Sequence, residues 1–261
     1  MKEAASLLLC QFINSIKFKI LFVKRPPFGS FQSCHVFPGG AVSVHDAHNH
    51  MTALRETFEE TGALVMDPPV KMSLETSLEW RTRIHAHPFL FHALLSQFNQ
   101  SKLTPCLPWA HWITPVHEKK RFNTWFYLTF LNQKHPLDSI SPDLKETLEL
   151  EWMTPKEAID AFKIQKRIQF FPPQYLMLLE LAQITSVDLQ RMIQNNQTRS
   201  MDPICPELIE KRKQEVRLVL PGDYRHSRTK TNHSKECVEL ILKTLDASSF
   251  MDIEYIKKSI D

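Results

Sequence analysis

At 261 residues and 43% apolar, the chain is long enough to bury a sizeable core, and 32 Lys plus Arg nearly balance 29 Asp plus Glu. A formal charge of +3 is too small to argue for nucleic acid or an anionic membrane surface. No apolar run approaches the roughly 20 residues of a membrane-spanning helix. Five scattered cysteines without a CxxC pair (Cys10, Cys34, Cys106, Cys205 and Cys237) read as reduced thiols rather than as a zinc site.

In chain order, Ala5 to Cys10 and Lys17 to Lys24 are apolar or β-branched runs that predict two strands with a turn at Asn14-Ser15. The opening apolar stretch reads as that first strand rather than as a signal peptide, and Ser259-Ile260-Asp261 is not a Ser-Lys-Leu tripeptide. Arg25 to Ser30 is a loop, and His35-Val36-Phe37 is an extended piece running into Pro38-Gly39-Gly40. Thr52 to Thr61 predicts a helix capped by Gly62. Leu78 to Phe98 is helical at both ends, restarting at Pro88, and Ile113 to Pro115, Thr124 to Leu131 and Leu148 to Met153 read as strands. Thr154-Pro155-Lys156-Glu157 is a helix start with a Thr cap, Pro at the first position and Glu at the third; Phe171-Pro172-Pro173 starts another helix, continuing to Gln183. A polar region from about Asn195 gives way to a strand at Val216 to Leu220, and Thr229 to Lys235 reads as loose. Apolar residues at 237, 238, 241, 242 and 245 form a helical stripe and predict a final helix. Strands and helices alternating this way favour an α/β fold with helices on the faces of a mixed sheet.

The glycines are informative because they are few: five, where average usage gives about 18. Four of them, Gly29, Gly39, Gly40 and Gly62, fall within 34 residues, so backbone freedom or close approach is needed there. On the helix that follows, Glu56 shares a face with Glu59 and Glu60, at i+3 and i+4, and Arg55 offsets part of their repulsion. Such a face is most often simply solvated. The tight turn before it, in a chain so poor in glycine, points instead to a site for a hard cation with oxygen ligands, able to clamp a diphosphate and activate water.

Gly40 to Ala63 resembles the Nudix box, G-x5-E-x7-R-E-(aliphatic)-x-E-E-x-G-(aliphatic). Three departures stand out: Asp46 in place of Glu, one extra residue before Arg55, and Thr57 and Ala63 at aliphatic positions. The resemblance implies Mg²⁺ or Mn²⁺ held chiefly by Glu56 and Glu60, with Glu59 as a further ligand or as the base, and Arg55 holding one of these carboxylates. It also implies the Nudix fold, a mixed sheet between helices with a long insert after the box helix.

The flanks are similar to a more specific group. Leu21 to Arg25 with Gly29 and Phe37 to Gly40 resemble a coenzyme A-directed pattern. Leu107 to Pro115, Lys120 to Phe126, Glu151 to Pro155, Phe171 to Tyr175 and Leu218 to Asp223 resemble segments of animal acyl-coenzyme A diphosphatases. That implies hydrolysis of coenzyme A or its acyl esters, with Lys24, Arg25 and Arg121 as phosphate contacts, in a peroxisome, a mitochondrion or the cytoplasm; the alternatives are a pyrophosphatase of ADP-ribose, NADH or a nucleotide sugar, and a nucleotide-binding module without turnover. The Trp and Phe residues of these segments read as core rather than as a ligand platform. The expected organisation is a Nudix domain over 4–194, with its box at 40–63 and an insert at about 66–118. A C-terminal extension over 195–261 is expected to be partly loose and to end in the helix.

Overall fold

The computed structural model describes residues 1–27, 33–135, 139–197, 199–229, 236–246 and 249–259. Gly29 and the stretch 230–235, expected to lie in loops, fall outside the described residues. In chain order come β1 (Lys2–Phe12), β2 (Phe18–Lys24), β3 (His35–Val36), β4 (Gly39–Ala41), α1 (Asn49–Thr61), β5 (Met66–Asp67), α2 (Leu74–Ala86), α3 (Leu90–Ser96) and β6 (Lys102–Leu103). Then follow β7 (Leu107–Ile113), β8 (Phe122–Phe130), β9 (Glu149–Met153), α4 (Pro155–Lys163), α5 (Pro172–Leu181), α6 (Ser186–Gln194), β10 (Glu207–Lys211), β11 (Glu215–Val219), β12 (Glu236–Asp246) and β13 (Ser249–Ser259).

The central sheet runs β3-β2-β1-β8-β7, with β4 also paired to β1 and β9 to β2. It is mixed: β1 and β8 are parallel, while β1–β2, β7–β8 and β2–β9 are antiparallel. The apolar run of β1 is explained by burial on both faces. Leu7 and Leu9 face α1, α2 and α3 with Leu54, Phe58, Ile84 and Phe91. Leu8 and Cys10 face the other way, into a cluster with Phe22, Phe126, Phe162 and Leu178. All five cysteines are unpaired. The predicted start of α4 is a complete capping box: Thr154 Oγ1 accepts from the Glu157 amide at 3.2 Å, and Glu157 Oε2 accepts from the Thr154 amide at 2.8 Å. Thr154→Ala is expected to cost about 1 kcal/mol, read from denaturant midpoints at unchanged m-value.

Three sequence expectations change. The stripe at 237–245 is not a helix but strand β12, hydrogen-bonded between β11 and β13. The same residues also fit a period of two, placing Val238, Leu240 and Leu242 in the main core, and a short apolar run does not by itself separate the two periods. The long strand β13 supplies the partner that decides it, so the described residues 207–259 of the C-terminal extension form a four-stranded sheet, in place of the expected helix. The insert expected over 66–118 divides: α2, α3 and the β5–β6 pair lie against α1, whereas β7 belongs to the central sheet. Helix α6, capped by Thr185 Oγ1 accepting from the Asp188 amide, was not anticipated. The polar stretch after it is tied down along β7, where Ile204 donates to His111 O at 2.8 Å and accepts from the Ile113 amide at 2.9 Å.

His35, in β3, is 5% exposed, and its Nδ1 has no hydrogen-bond partner among the described residues. Burial lowers its pKa from 6.5 to about 4, against the pull of Glu151 at 3.7 Å. The unfolded chain therefore binds this proton more readily, so the residue's contribution is full above pH 6.5 and is lost as pH falls toward 4. Over that window the wild type is expected to lose about 3 kcal/mol more stability than His35→Gln. Parallel pH–stability curves for the two proteins would contradict this.

Candidate active site

The site begins with an aromatic anchor. Phe37 is buried against Phe22 (ring centroids 5.2 Å apart), and Leu7 donates to the Pro38 carbonyl at 2.8 Å, which docks the glycine turn onto β1. Gly39 and Gly40 then pair with Ser6 and Ala5. Side chains are excluded at both glycines. A Cβ on Gly39 would lie 2.4 Å from the Ala5 carbonyl oxygen, and one on Gly40 would lie 2.4 Å from the Glu56 carboxyl carbon. The Glu56 carboxylate thus rests directly on the bare backbone of Gly40.

Helix α1 lies between the sheet and the insert, which is why its polar residues are buried as well as its apolar ones. Thr57, at a position where the box is aliphatic, is fully buried and bonds its hydroxyl to the Ala53 carbonyl at 2.7 Å. Gly62 closes the helix in the left-handed conformation (φ 74°), its amide bonded to the Phe58 carbonyl. The remaining terminal carbonyls are satisfied from outside. Buried Arg81 of α2 donates Nε to Glu59 O at 2.8 Å and Nη2 to Glu60 O at 2.9 Å, and the Ser141 amide donates to Thr61 O at 2.9 Å.

Arg55 is 3% exposed and organises the acids. Its Nε and Nη2 hold Asp46 at 3.0 and 2.9 Å, and its Nη1 donates to Glu56 at 2.9 Å and Glu59 at 2.6 Å. The Asp46 carboxylate also accepts from the Ser43 amide across a turn and from the Thr52 hydroxyl of α1. Glu60 Oε2 accepts from the Gly39 amide at 3.0 Å and its Oε1 accepts from Arg25 Nη1 at 2.8 Å. Glu59 Oε2 lies 3.3 Å from His85 Nδ1. Burial pushes the Glu56 carboxyl up to about 7, opposed by Arg55 and reinforced by Glu59. Burial, with Glu56 beside it, also raises Glu60 well above the carboxylate range. A cation between these two carboxylates would offset the cost of holding them charged together.

The predicted residues therefore divide. Glu56, Glu59, Glu60, Arg55, Asp46 and Arg25 are brought together. Lys24 is not, because strand residues alternate faces: it pairs across strands with Glu149, at 3.1 Å. Arg121 precedes β8 and donates Nε to the Thr114 carbonyl. Among the described residues no group of three His, Cys, Asp or Glu side chains converges as a ready metal cage. The three glutamates face Arg25 and Arg55 instead.

Sequence reasoning missed Arg81, His85 and Glu146. Glu146 shares Arg25 with Glu60, both guanidinium Nη atoms lying 3.4 Å from its Oε2. Its loop is held by Asp143, whose carboxylate accepts from the amides of Lys145, Glu146 and Thr147. All three residues are distant in sequence from the box, and each reads locally as an ordinary solvated charge.

A mixed sheet carrying an acidic helix against a glycine turn defines a Nudix-type α/β domain. The family model described as the NUDT19 Nudix domain matches residues 46–181, more than half of the chain, and the chain belongs to the Nudix hydrolase family in that group. It is 29% identical over 210 residues to acyl-coenzyme A diphosphatase NUDT19 of Xenopus laevis, covering 70% of this chain and 52% of that protein. With nudix hydrolase 7 of Caenorhabditis elegans it shares 30% identity over 234 residues, covering 85% and 74%. The chain spans about half the length of the acyl-coenzyme A diphosphatases it matches. A solved NUDIX hydrolase from Alicyclobacillus acidocaldarius has the same fold, with a TM-score of 0.61 at 22% identity over 78% of this chain and 98% of that one. No helix among the described residues is long and apolar enough to cross a membrane.

Proposed function

We propose that this chain hydrolyses the diphosphate bond of coenzyme A and its acyl esters, releasing 3′,5′-ADP and 4′-phosphopantetheine or its acyl form. The observation that carries the reading is the set of three glutamates on α1, with the Glu56 carboxylate seated on Gly40 and Glu60 on the Gly39 amide. The relatives named acyl-coenzyme A diphosphatase supply the substrate class.

The donor set suits Mg²⁺ or Mn²⁺: it offers carboxylate oxygens only, on a backbone left bare by glycine. Glu56 and Glu60 would hold the ion, with Glu59 completing the set or taking the proton of the attacking water. Bound there, the ion would neutralise diphosphate oxygens and acidify a water. In the hydrolysis the water oxygen bonds to phosphorus, the bridging P–O bond breaks, and the water's proton passes to a carboxylate. Arg55 keeps Glu56 and Glu59 oriented through its two short bonds. Of Lys24, Arg25 and Arg121, Arg25 stands beside the carboxylates and is the natural phosphate contact; each of the three now holds a protein acceptor, Arg25 the Glu60 and Glu146 carboxylates, Lys24 Glu149 and Arg121 the Thr114 carbonyl.

Chromatography of coenzyme A incubated with the protein and Mg²⁺ is expected to yield 3′,5′-ADP, and EDTA to suppress it. Intact coenzyme A alongside cleaved ADP-ribose, NADH or nucleotide sugar would overturn the substrate and leave the family standing.

A further inference from the structure

We infer that Arg81 and His85, one turn apart on α2, are positioning residues that make the insert helix a clamp on Glu59. The inference rests on the proposed role of Glu59 in hydrolysis. Spaced i and i+4, the two side chains project from one face of α2. Arg81 grips the backbone of α1 at the Glu59 and Glu60 carbonyls, and its Nη1 reaches Ser141 Oγ at 3.2 Å. His85 meets the other end of the same residue, its Nδ1 3.3 Å from Glu59 Oε2, while Arg55 holds Oε1. Glu59 is thereby bonded at its carbonyl by Arg81 and at Oε1 by Arg55, with the His85 ring set against Oε2.

Core packing does not account for His85, whose side chain is 53% exposed. A polar contact that open to water adds little to stability. Its consequence is orientation: the terminal torsion of a glutamate is broad, and without the imidazole packed beside Oε2 the carboxylate turns about the single Arg55 contact. Partners that orient a functional carboxylate typically matter for activity or metal affinity far more than for folding.

Arg81 is buried and its loss risks the fold, so His85 carries the test. In His85→Ala, kcat for coenzyme A is expected to fall about tenfold, with KM within about twofold and an unchanged melting temperature. His85→Asn places an amide donor where Nδ1 stands and is expected to recover to within about threefold of wild type, whereas His85→Gln, whose donor stands where Nε2 does, remains impaired. Calorimetric Mn²⁺ titration without substrate supplies the independent measurement, with binding about tenfold weaker in the Ala variant and restored in the Asn variant. Wild-type kcat and Mn²⁺ affinity in His85→Ala, or an Asn variant no better than Gln, would overturn the clamp. If the wild type leaves coenzyme A intact, the substrate proposal falls and the Mn²⁺ series alone decides the clamp.

Discussion

Glu60→Gln is expected to lower kcat for coenzyme A by about 10³-fold while leaving the melting temperature unchanged or higher. The substitution keeps the shape of the side chain and removes the charge at a position that is 3% exposed. On the proposed role, an ion held by this carboxylate would contribute several kcal/mol of transition-state stabilisation, and each ~1.4 kcal/mol is a factor of ten in rate. Stability moves the other way because the charge is costly in the resting protein: burial disfavours it, Glu56 repels it, and Arg25 offsets only part of this. The amide oxygen still accepts from the Gly39 amide; the bond from Arg25 is lost, and Arg25 keeps Glu146 as its acceptor. Steady-state kinetics with calorimetry reads both quantities. Activity within tenfold of wild type would remove Glu60 from the machinery, and a large fall in melting temperature would make its role structural.

The two glycines are expected to separate function from folding. In Gly40→Ala the new methyl meets the carboxyl end of Glu56, a flexible side chain able to swing away, so the fold survives and the displaced carboxylate is what is lost. Activity is expected to fall about 10²-fold with little change in melting temperature. In Gly39→Ala the methyl instead meets the Ala5 carbonyl at 2.4 Å and Ser6 Cα at 2.6 Å. Backbone in the middle of the sheet cannot swing away, so overpacking there is expected to cost about 3 kcal/mol. Equal loss of stability in the two variants would mean that Gly40 is as structural as Gly39.

The acidic cluster was legible because its members lie within one helical turn. Spacing alone puts Glu56, Glu59 and Glu60 on a common face, and Gly62 marks the helix end. The three departures from the box were legible as departures but not as solutions. Thr57 bonds its own helix, and Asp46 meets Arg55 from the preceding turn, both of which depend on neighbours that no spacing rule names. Lys24 and Arg25 show the limit most clearly. Adjacent in sequence and alike in charge, they are separated by one step of the chain, which sends Lys24 to Glu149 and Arg25 to Glu60.

By itself, then, the sequence determined the α/β class, the acidic helix, its glycine turn and the capping box of α4, because each is written in residues a few positions apart. Only the tertiary structure decided that 237–245 is a strand, since a partner strand and not its own period selects between helix and sheet there. It likewise decided which charges surround the glutamates. Arg25, Arg81, His85 and Glu146 come from three separate parts of the chain, and their side chains meet through packing over distances at which local pattern carries no information.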